Sequence, residues 1–375
     1  MKILISGGHL TPALALIDFI HDKYKKDEVI FVGRIYSQND LKQLAQEKNE
    51  IEKRDIKFIH LNAAKTVKNK PAQHKLFFPF LLTKSVFSAI AIFLKEKPDV
   101  FVSFGGYLAI PLSIAAKLTR TKILTHEQTH AAGFANQFIA KLADEVAISY
   151  PSSQAYFPQT KTHLTGNPIR SELLSPGSTQ PKWISQKSLQ PILLITGGSQ
   201  GAEAINRIVG LSLLDLTQKW TVIHLCGSSN LKSDYKQQLD QIRRKLPSEQ
   251  QQHYFVKEWA SGAEMSWIYD QTHAAISRAG ANTVMELTVK NIPTIFIPLP
   301  NSHHDEQLKN AQELSNQGAA LLLIQDKLSP QKLIKQVEQL ENNYEKILKN
   351  LQSIKRSTNA VDKIYQLLLN LTHAA

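Results

Sequence analysis

Alternation is the feature that most constrains what this chain can fold into. Short β-branched runs alternate with helical patterns, and that signature belongs to parallel α/β sheets. In the first half the expected strands are Lys2–Ser6, Glu28–Val32, Lys57–His60, Asp99–Phe104, Lys122–His126 and Glu145–Ser149. The pattern restarts with Ile192–Thr196, Thr221–Cys226, His253–Val256, Ala274–Ser277, Thr294–Pro298 and Ala320–Ile324. Between the halves Ser171–Gln190 is rich in Ser, Pro, Gln and Lys without periodicity, and reads as a linker or a poorly ordered excursion. Each half is therefore expected to be its own doubly wound sheet, with ligands at the carboxyl ends of the strands. The expected division is 1–167, joined by a C-terminal helix at about 353–375, and 168–352. Ile364, Leu367, Leu368 and Leu371 carry the helical spacing of that last segment, which does not say which half it packs on.

Composition removes other classes. Of the 375 residues 42% are hydrophobic and 20% charged, ordinary for a globular chain and against disorder, collagen or coiled coil. Cys226 is the single cysteine, so neither an internal disulfide nor a cysteine zinc cluster is available. Met1–Ser6 ends in Gly7-Gly8 without a long apolar region or cleavage site, so it reads as a strand and not a signal peptide. Leu76–Leu94 approaches membrane-spanning length but contains Pro79 and Lys84, which argue against a span. A cytosolic protein is expected.

Several strand ends carry chemistry. Gly197-Gly198-Ser199-Gln200-Gly201-Ala202 follows an apolar strand and suits a phosphate, because glycines admit an anion and a helix N-terminus follows. A tight turn capped by Ser199 is the plainer reading. Arg278-Ala279-Gly280-Ala281-Asn282-Thr283 offers a second anion loop, with Glu286 placed to accept from both hydroxyls of a ribose. Thr283 and Glu286 equally fit a capping box. Gly7-Gly8-His9 follows the first strand, with Thr11-Pro12 opening a helix as cap and first-turn proline. The third glycine of a dinucleotide fingerprint is missing, and the second strand ends in Gly33-Arg34 without the acidic residue an NAD ribose needs. His9 stands where a strand-end general base belongs, although a lone histidine is also a common structural residue. Phe104-Gly105-Gly106-Tyr107 and Thr125-His126-Glu127-Gln128 end two more strands, as site loops or as turn chemistry. His303-His304-Asp305-Glu306-Gln307 suits a polar ligand better than a metal, since adjacent residues rarely converge on one ion. No P-loop signature is present.

Lys+Arg 44 against Asp+Glu 32 gives a net charge of +12, which calls for a polyanionic partner or surface. No acidic residue falls between Asp55 and Glu96, while Lys57, Lys65, Lys68, Lys70, Lys75, Lys84 and Lys95 do. Within that window lies the apolar cluster Leu76–Leu82. Lysines around an apolar segment suit an anionic membrane surface over Lys65–Leu82, at about 1 kcal/mol per well-placed lysine. A solvated lysine face over a core helix is the alternative. Nucleic acid is not expected, because the aromatics form one block and do not alternate with lysines.

These segments together resemble the MurG family, the undecaprenyl-diphospho-muramoylpentapeptide N-acetylglucosaminyltransferases of peptidoglycan synthesis. The matching pieces run in order: Gly7-Gly8-His9 with Pro12–Ala15; Phe104–Tyr107; His126-Glu127-Gln128 with Gly133 and Asn136; Gly166–Arg170; Gly197–Ala202; Ser277–Ala281 through Glu286; and Gln307 with Asn310-Ala311. The resemblance implies a GT-B glycosyltransferase fold, two Rossmann-like domains facing a central cleft, with UDP-GlcNAc held mainly by the second. It implies Ser199, Gln200 and the Ala281, Asn282 and Thr283 backbone at the diphosphate, Glu286 at the ribose, Gln307 at the sugar and backbone near Ala260 at uracil. Arg170 and Arg278 would shape the donor side, and Thr129 would face the donor sugar. The implied acceptor is lipid I, its diphosphate at Gly7-Gly8, with Tyr107 and Asn136 on the acceptor side. The implied reaction is an inverting transfer with His9 as base and His126 or Glu127 in support, without a metal or other cofactor, at the cytoplasmic face of the cell membrane. In the family the first loop is longer, Thr129 is asparagine and Glu306 is glutamine. Those departures leave room for a related transferase that moves a sugar to diacylglycerol or another polyprenol. A membrane-attached scaffold that keeps only the nucleotide fold is the non-enzymatic alternative.

Overall fold

The computed structural model describes residues 1–36, 46–63, 72–177, 179–185, 190–198, 201–227 and 234–373. The chain divides into two compact units, Met1–Ser171 with Ser357–Ala375, and Glu172–Arg356. From the sequence the divisions were expected after 167 and 352.

In the first unit the strands are β1 (Lys2–Ser6), β2 (Glu28–Gly33), β3 (Lys57–His60), β4 (Val100–Ser103), β5 (Lys122–Glu127), β6 (Glu145–Ile148) and β7 (Thr162–Leu164). They form one sheet in the order β3-β2-β1-β4-β5-β6-β7. Every pairing is parallel, so the central strands are covered on both faces and read as near-continuous apolar runs. Strand β7 was missed because its three residues are only partly buried and carry no such run. The helices are α1 (Leu10–Lys23), α2 (Gln46–Glu52), α3 (Ala72–Glu96), α4 (Ala109–Leu118) and α5 (Phe134–Leu142). Helix α1 starts at Leu10 with His9 as its N-cap, which corrects the expected cap at Thr11.

The second unit begins with the short α6 (Ser171–Leu174) and builds β8 (Ile192–Thr196), β9 (Thr221–Leu225), β10 (Tyr254–Lys257), β11 (Thr272–Ser277), β12 (Thr294–Phe296) and β13 (Leu321–Leu322). Their order is β10-β9-β8-β11-β12-β13, again parallel throughout, so the strand arrangement of the first unit is repeated. Around it lie α7 (Glu203–Lys219), α8 (Tyr235–Arg243), α9 (Ser248–Gln251), α10 (Gly262–Gln271), α11 (Ala281–Val289), α12 (Glu306–Ser315), α13 (Pro330–Asn342) and α14 (Tyr344–Ser353). In each unit the order reverses beside the first strand, which makes the carboxyl ends of β1/β4 and of β8/β11 the ligand-binding positions.

The last helix, α15 (Ala360–His373), belongs to the first unit. Val361, Ile364, Tyr365, Leu368 and Leu371 enter the core formed by β1, β4 and α1. The Tyr365 hydroxyl donates to Asp27 Oδ2 at 2.6 Å, and its ring stacks on Tyr24 at 3.9 Å.

The segment expected to be a linker is fastened over α10 instead. Ser266 Oγ donates to the Ser175 carbonyl at 2.9 Å, the Gly177 N–H donates to Asp270, and Trp183 Nε1 donates to Glu264 Oε1 at 2.8 Å. A Cβ on Gly177 would stand 2.3 Å from the Trp267 nitrogen, so the strap runs against helix backbone. These anchors fall at irregular spacing, which is why no periodicity announced them. Among the described residues no helix is long and apolar enough to cross a membrane.

Candidate active site

The second unit carries a cavity of about 610 Å³ at the carboxyl ends of β8 and β11. After Thr196 the chain turns through Gly198 (φ 79°) and Gly201 (φ 72°), left-handed values that glycine adopts without strain. A Cβ on Gly201 would come within 2.5 Å of the Cys226 carbonyl, so the turn lies directly on the end of β9. The turn delivers the chain to α7, whose N-cap, Ala202, supplies no side-chain acceptor. Across the cavity α11 begins after Gly280, also without a side-chain cap. Elsewhere in this unit Asp234 caps α8, Ser261 and Glu264 form a capping box on α10, and Ser329 caps α13. Neither of these helix starts has a side-chain cap among the described residues, so each presents backbone N–H groups and a positive dipole end at the cavity.

Side chains complete the wall. Buried Arg278 donates through Nη1 to the Ile297 and Pro298 carbonyls, each at 3.0 Å, and through Nη2 to Gln325 Oε1 at 2.6 Å. Burial pushes its pKa down from the ordinary arginine value. Gln307 accepts from the Leu299 N–H at 3.0 Å, which leaves its amide NH2 as the group to offer a ligand. Asn310 Nδ2 donates to the Ala279 carbonyl at 3.0 Å and ties α12 to the loop entering α11. Arg207, on the second turn of α7, also lines the cavity and makes no ion pair among the described residues. Arg207 is not among the residues expected from the sequence. The available signal was its position four residues after Glu203, on the helix face that follows the glycine turn.

In the first unit two glycine turns meet backbone to backbone. A Cβ on Gly8 would lie 2.1 Å from the Gly105 carbonyl oxygen, and one on Gly106 would lie 2.9 Å from Gly8 Cα. Gly105 and Gly106 both have left-handed φ, 80° and 79°. His9 presents open surface at the uncapped start of α1, and Tyr107 is half-buried at the end of the second turn. Although one side of His9 is open, loss of hydration around the enclosed part of its ring lowers its pKa and outweighs the opposing pull of the Glu127 carboxylate.

Glu127 itself is 3% exposed and saturated. Oε1 accepts from the Thr129 N–H at 3.0 Å and the Thr129 hydroxyl at 2.8 Å, while Oε2 accepts from the Gly133 N–H at 3.0 Å and Asn136 Nδ2 at 2.9 Å. His126 is fully buried, with Nε2 3.0 Å from the Gly166 carbonyl and Nδ1 3.0 Å from Gln128 Nε2. Its partners assign the proton to Nε2, and burial pushes its pKa down to about 4.

Sequence comparison then places the chain. A model of the glycosyltransferase family 28 N-terminal domain matches residues 6–148, and one of the family 28 C-terminal domain matches residues 192–368. A relative from Clostridium perfringens, named UDP-N-acetylglucosamine–N-acetylmuramyl-(pentapeptide) pyrophosphoryl-undecaprenol N-acetylglucosamine transferase, is 31% identical over 378 residues, covering 99% of each chain. One of the same name from Clostridium botulinum is 31% identical over 382 residues, again covering 99% of each. The chain belongs to the MurG family. Its fold is shared with the crystal structure of Acinetobacter baumannii MurG, at a TM-score of 0.68 and 24% identity over 98% of this chain and 99% of that one. It is shared more distantly with a UDP-GlcNAc 2-epimerase from Neisseria meningitidis bound to UDP-GlcNAc, at a TM-score of 0.65 and 15% identity over 99% and 100% of the two chains.

Placed on this MurG-family framework, the expected donor residues separate. Arg278, Thr283 and Gln307 line the cavity, and Ala281 and Asn282 form the first turn of α11 beside it. Ser199 and Gln200 lie outside the described residues. The expected capping box does not form, because α11 is capped at Gly280 and Glu286 Oε2 accepts instead from the Tyr269 hydroxyl at 2.8 Å. Glu286 lies one turn below Thr283 and is 8% exposed, and Ala260 is buried in the β10–α10 connection. Arg170 is buried at the end of the first unit, next to the division. Thr129, expected at the donor sugar, commits its hydroxyl to Glu127 and to the Ala131 carbonyl at 2.7 Å. Of the expected catalytic and acceptor residues, Gly7, Gly8, His9 and Tyr107 sit on the two glycine turns. His126, Glu127 and Asn136 are buried beneath, with their polar atoms engaged. Among the described residues no group of three or more His, Cys, Asp or Glu could hold a metal ion.

The buried histidine makes a pH-dependent stability test. An unfolded histidine titrates near about 6.5, whereas His126 titrates at about 4 in the fold. Unfolding therefore takes up a proton between those values, and stability falls as pH drops through that window. His126→Gln is expected to be less stable near ~pH 7 but to show a shallower fall between ~pH 7 and ~pH 5 in urea unfolding. An unchanged slope would mean that the imidazole is already charged in the folded protein.

Proposed function

We propose that this chain transfers N-acetylglucosamine from UDP-GlcNAc to the C4 hydroxyl of the muramoyl sugar of lipid I, giving lipid II. The observation that carries the reading is the pair of uncapped helix starts, α7 and α11, on opposite sides of one cavity. Two such ends suit the two phosphates of a nucleoside diphosphate. The names of the full-length Clostridium relatives support the substrate assignment.

The acceptor hydroxyl attacks the anomeric carbon as the bond to the diphosphate oxygen breaks, and UDP leaves with the electron pair. Negative charge grows on the departing phosphate, where fixed N–H groups stabilise it without reorganising. Arg207 adds a cation on the same wall, and Arg278 keeps that wall in shape through its carbonyl contacts. Glu286, oriented by Tyr269, is the ribose ligand in this scheme, and Gln307 offers its amide to the sugar. His9, uncharged at neutral pH because its pKa is lowered, takes the hydroxyl proton. The Gly7-Gly8 turn and the start of α1 receive the acceptor diphosphate. Because the Thr129 hydroxyl is held within its own loop, its difference from the family asparagine gives no reason to assign another sugar.

Docking at the anionic cytoplasmic face of the membrane belongs to the same reading. The first unit has 24 Lys+Arg against 15 Asp+Glu, the second 20 against 17, so most of the positive excess lies on the acceptor side. Phe80 and Phe87, 69% and 67% exposed, share a face of α3 with Lys84 and exposed Leu94. Aromatic insertion beside lysines suits reversible binding. Of the Lys65–Leu82 stretch, residues 64–71 and the side chains as far as Phe78 lie outside the described residues, while Pro79–Leu82 open this stripe.

Two measurements test the reading. UDP release is expected to require both UDP-GlcNAc and lipid I, and Glu286→Ala is expected to lower kcat/KM by about tenfold or more. Turnover that ignores lipid I, or proceeds as well with a diacylglycerol acceptor, would contradict it. On vesicles containing anionic lipid, Phe80→Ser/Phe87→Ser is expected to weaken sedimentation severalfold, whereas equal binding to neutral vesicles would remove the electrostatic part.

A further inference from the structure

We propose that Glu127 and Asn136 are positioning residues, which hold the Gly105–Gly106 turn beneath the Gly8–His9 loop and do not themselves touch substrate. This goes beyond the transfer reading and rests on it only where turnover is measured.

The residue types follow from donor counting. Three N–H donors converge on Glu127, from Thr129, Gly133 and the Asn136 amide, and the Thr129 hydroxyl shares its single hydrogen between Oε1 and the Ala131 carbonyl. A carboxylate, with two acceptor oxygens and no hydrogen, meets all of these donors. A glutamine would turn an NH2 towards one pair of those donors and leave them unpaired in a buried site. Asn136 is engaged as fully, donating to the His126 carbonyl at 3.1 Å as well as to Glu127, and accepting from the Thr125 hydroxyl at 3.2 Å. Its amide lies against the β4 turn, since a Cβ on Gly105 would stand 3.0 Å from Asn136 Oδ1. Gly105 in turn supports Gly8, at the 2.1 Å approach described above. A continuous path of contact therefore runs from Glu127 through Asn136 and Gly105 to Gly8, and His9 is the next residue. Direct proton transfer by Glu127 would need an accessible oxygen. The carboxylate is buried and its lone pairs are engaged.

The arrangement also acts through charge. The ionised Glu127 raises the His9 pKa against the lowering effect of lost hydration. His126, the other titratable group that interacts with His9, is uncharged at neutral pH because its pKa is about 4. Glu127 is thus the charge that holds the His9 pKa up.

The experiment is a histidine NMR titration of the full chain, with steady-state kinetics on the same samples. In Glu127→Gln the pKa of His9 is expected to fall, and the KM for the lipid acceptor to rise severalfold while affinity for UDP-GlcNAc is unchanged. Asn136→Ala keeps the charge and covers the case in which Glu127→Gln does not fold. It is expected to leave the His9 pKa within a few tenths of a unit while raising the acceptor KM. An unmoved His9 pKa in folded Glu127→Gln would overturn the proposal. So would complete loss of turnover at every pH with His9 shifted as expected and UDP-GlcNAc binding intact, since that pattern marks direct chemistry by Glu127. If the wild-type chain transfers no sugar to lipid I, the transfer reading fails, and the titration still decides this inference on its own.

Discussion

Backbone N–H groups at two helix starts, which have no side-chain cap among the described residues, are the constraint on which the proposed chemistry depends. A helix leaves about four N–H groups without partners at its beginning, and most proteins cap them with a nearby side chain. Here α8, α10 and α13 are capped in that way, while α7 and α11, like α9, α12 and α14, have no side-chain cap; α7 and α11 begin beside the cavity. Both border one cavity, and in the proposed transfer their fixed dipoles need no rearrangement when charge develops. Gly198 and Gly201 both take left-handed φ on this turn, and a side chain at 201 would strike the end of β9.

The first unit solves a different problem with similar parts. Its candidate site is built from two glycine turns and one histidine, with few side chains of their own to hold them still. The rigidity comes from beneath, from a carboxylate and an amide whose hydrogen-bonding capacity is directed inward. Under the positioning role proposed for them, Glu127 and Asn136 matter to the reaction without meeting the substrate, a distinction that shows only when their lone pairs are counted.

Much of this could be read from the chain. The alternation of apolar runs and helical spacing marked every strand except β7, because strands covered on both faces must be apolar almost throughout. The glycine turns and the residues after them were visible as punctuation at strand ends. The strap over α10 was not visible, since its contacts are single side chains reaching backbone at uneven intervals. Nor could the sequence distinguish Glu127, buried and saturated, from an available acid. That depends on Thr129, Gly133 and Asn136 turning their donors the same way, which only the folded loop brings about. Glu286 shows the converse. The local pattern suggested a capping box, and tertiary contact with Tyr269 took precedence.

Calorimetry with UDP, UMP and uridine on the intact chain tests the central claim most directly, because the ligands differ only in the phosphates that the two helix starts are held to grip. Each charge-assisted contact contributes on the order of 1.5–3 kcal/mol, so UDP is expected to bind about tenfold or more tighter than UMP, and uridine weakest. Equal affinities for UDP and UMP, or no measurable binding of UDP, would contradict the account.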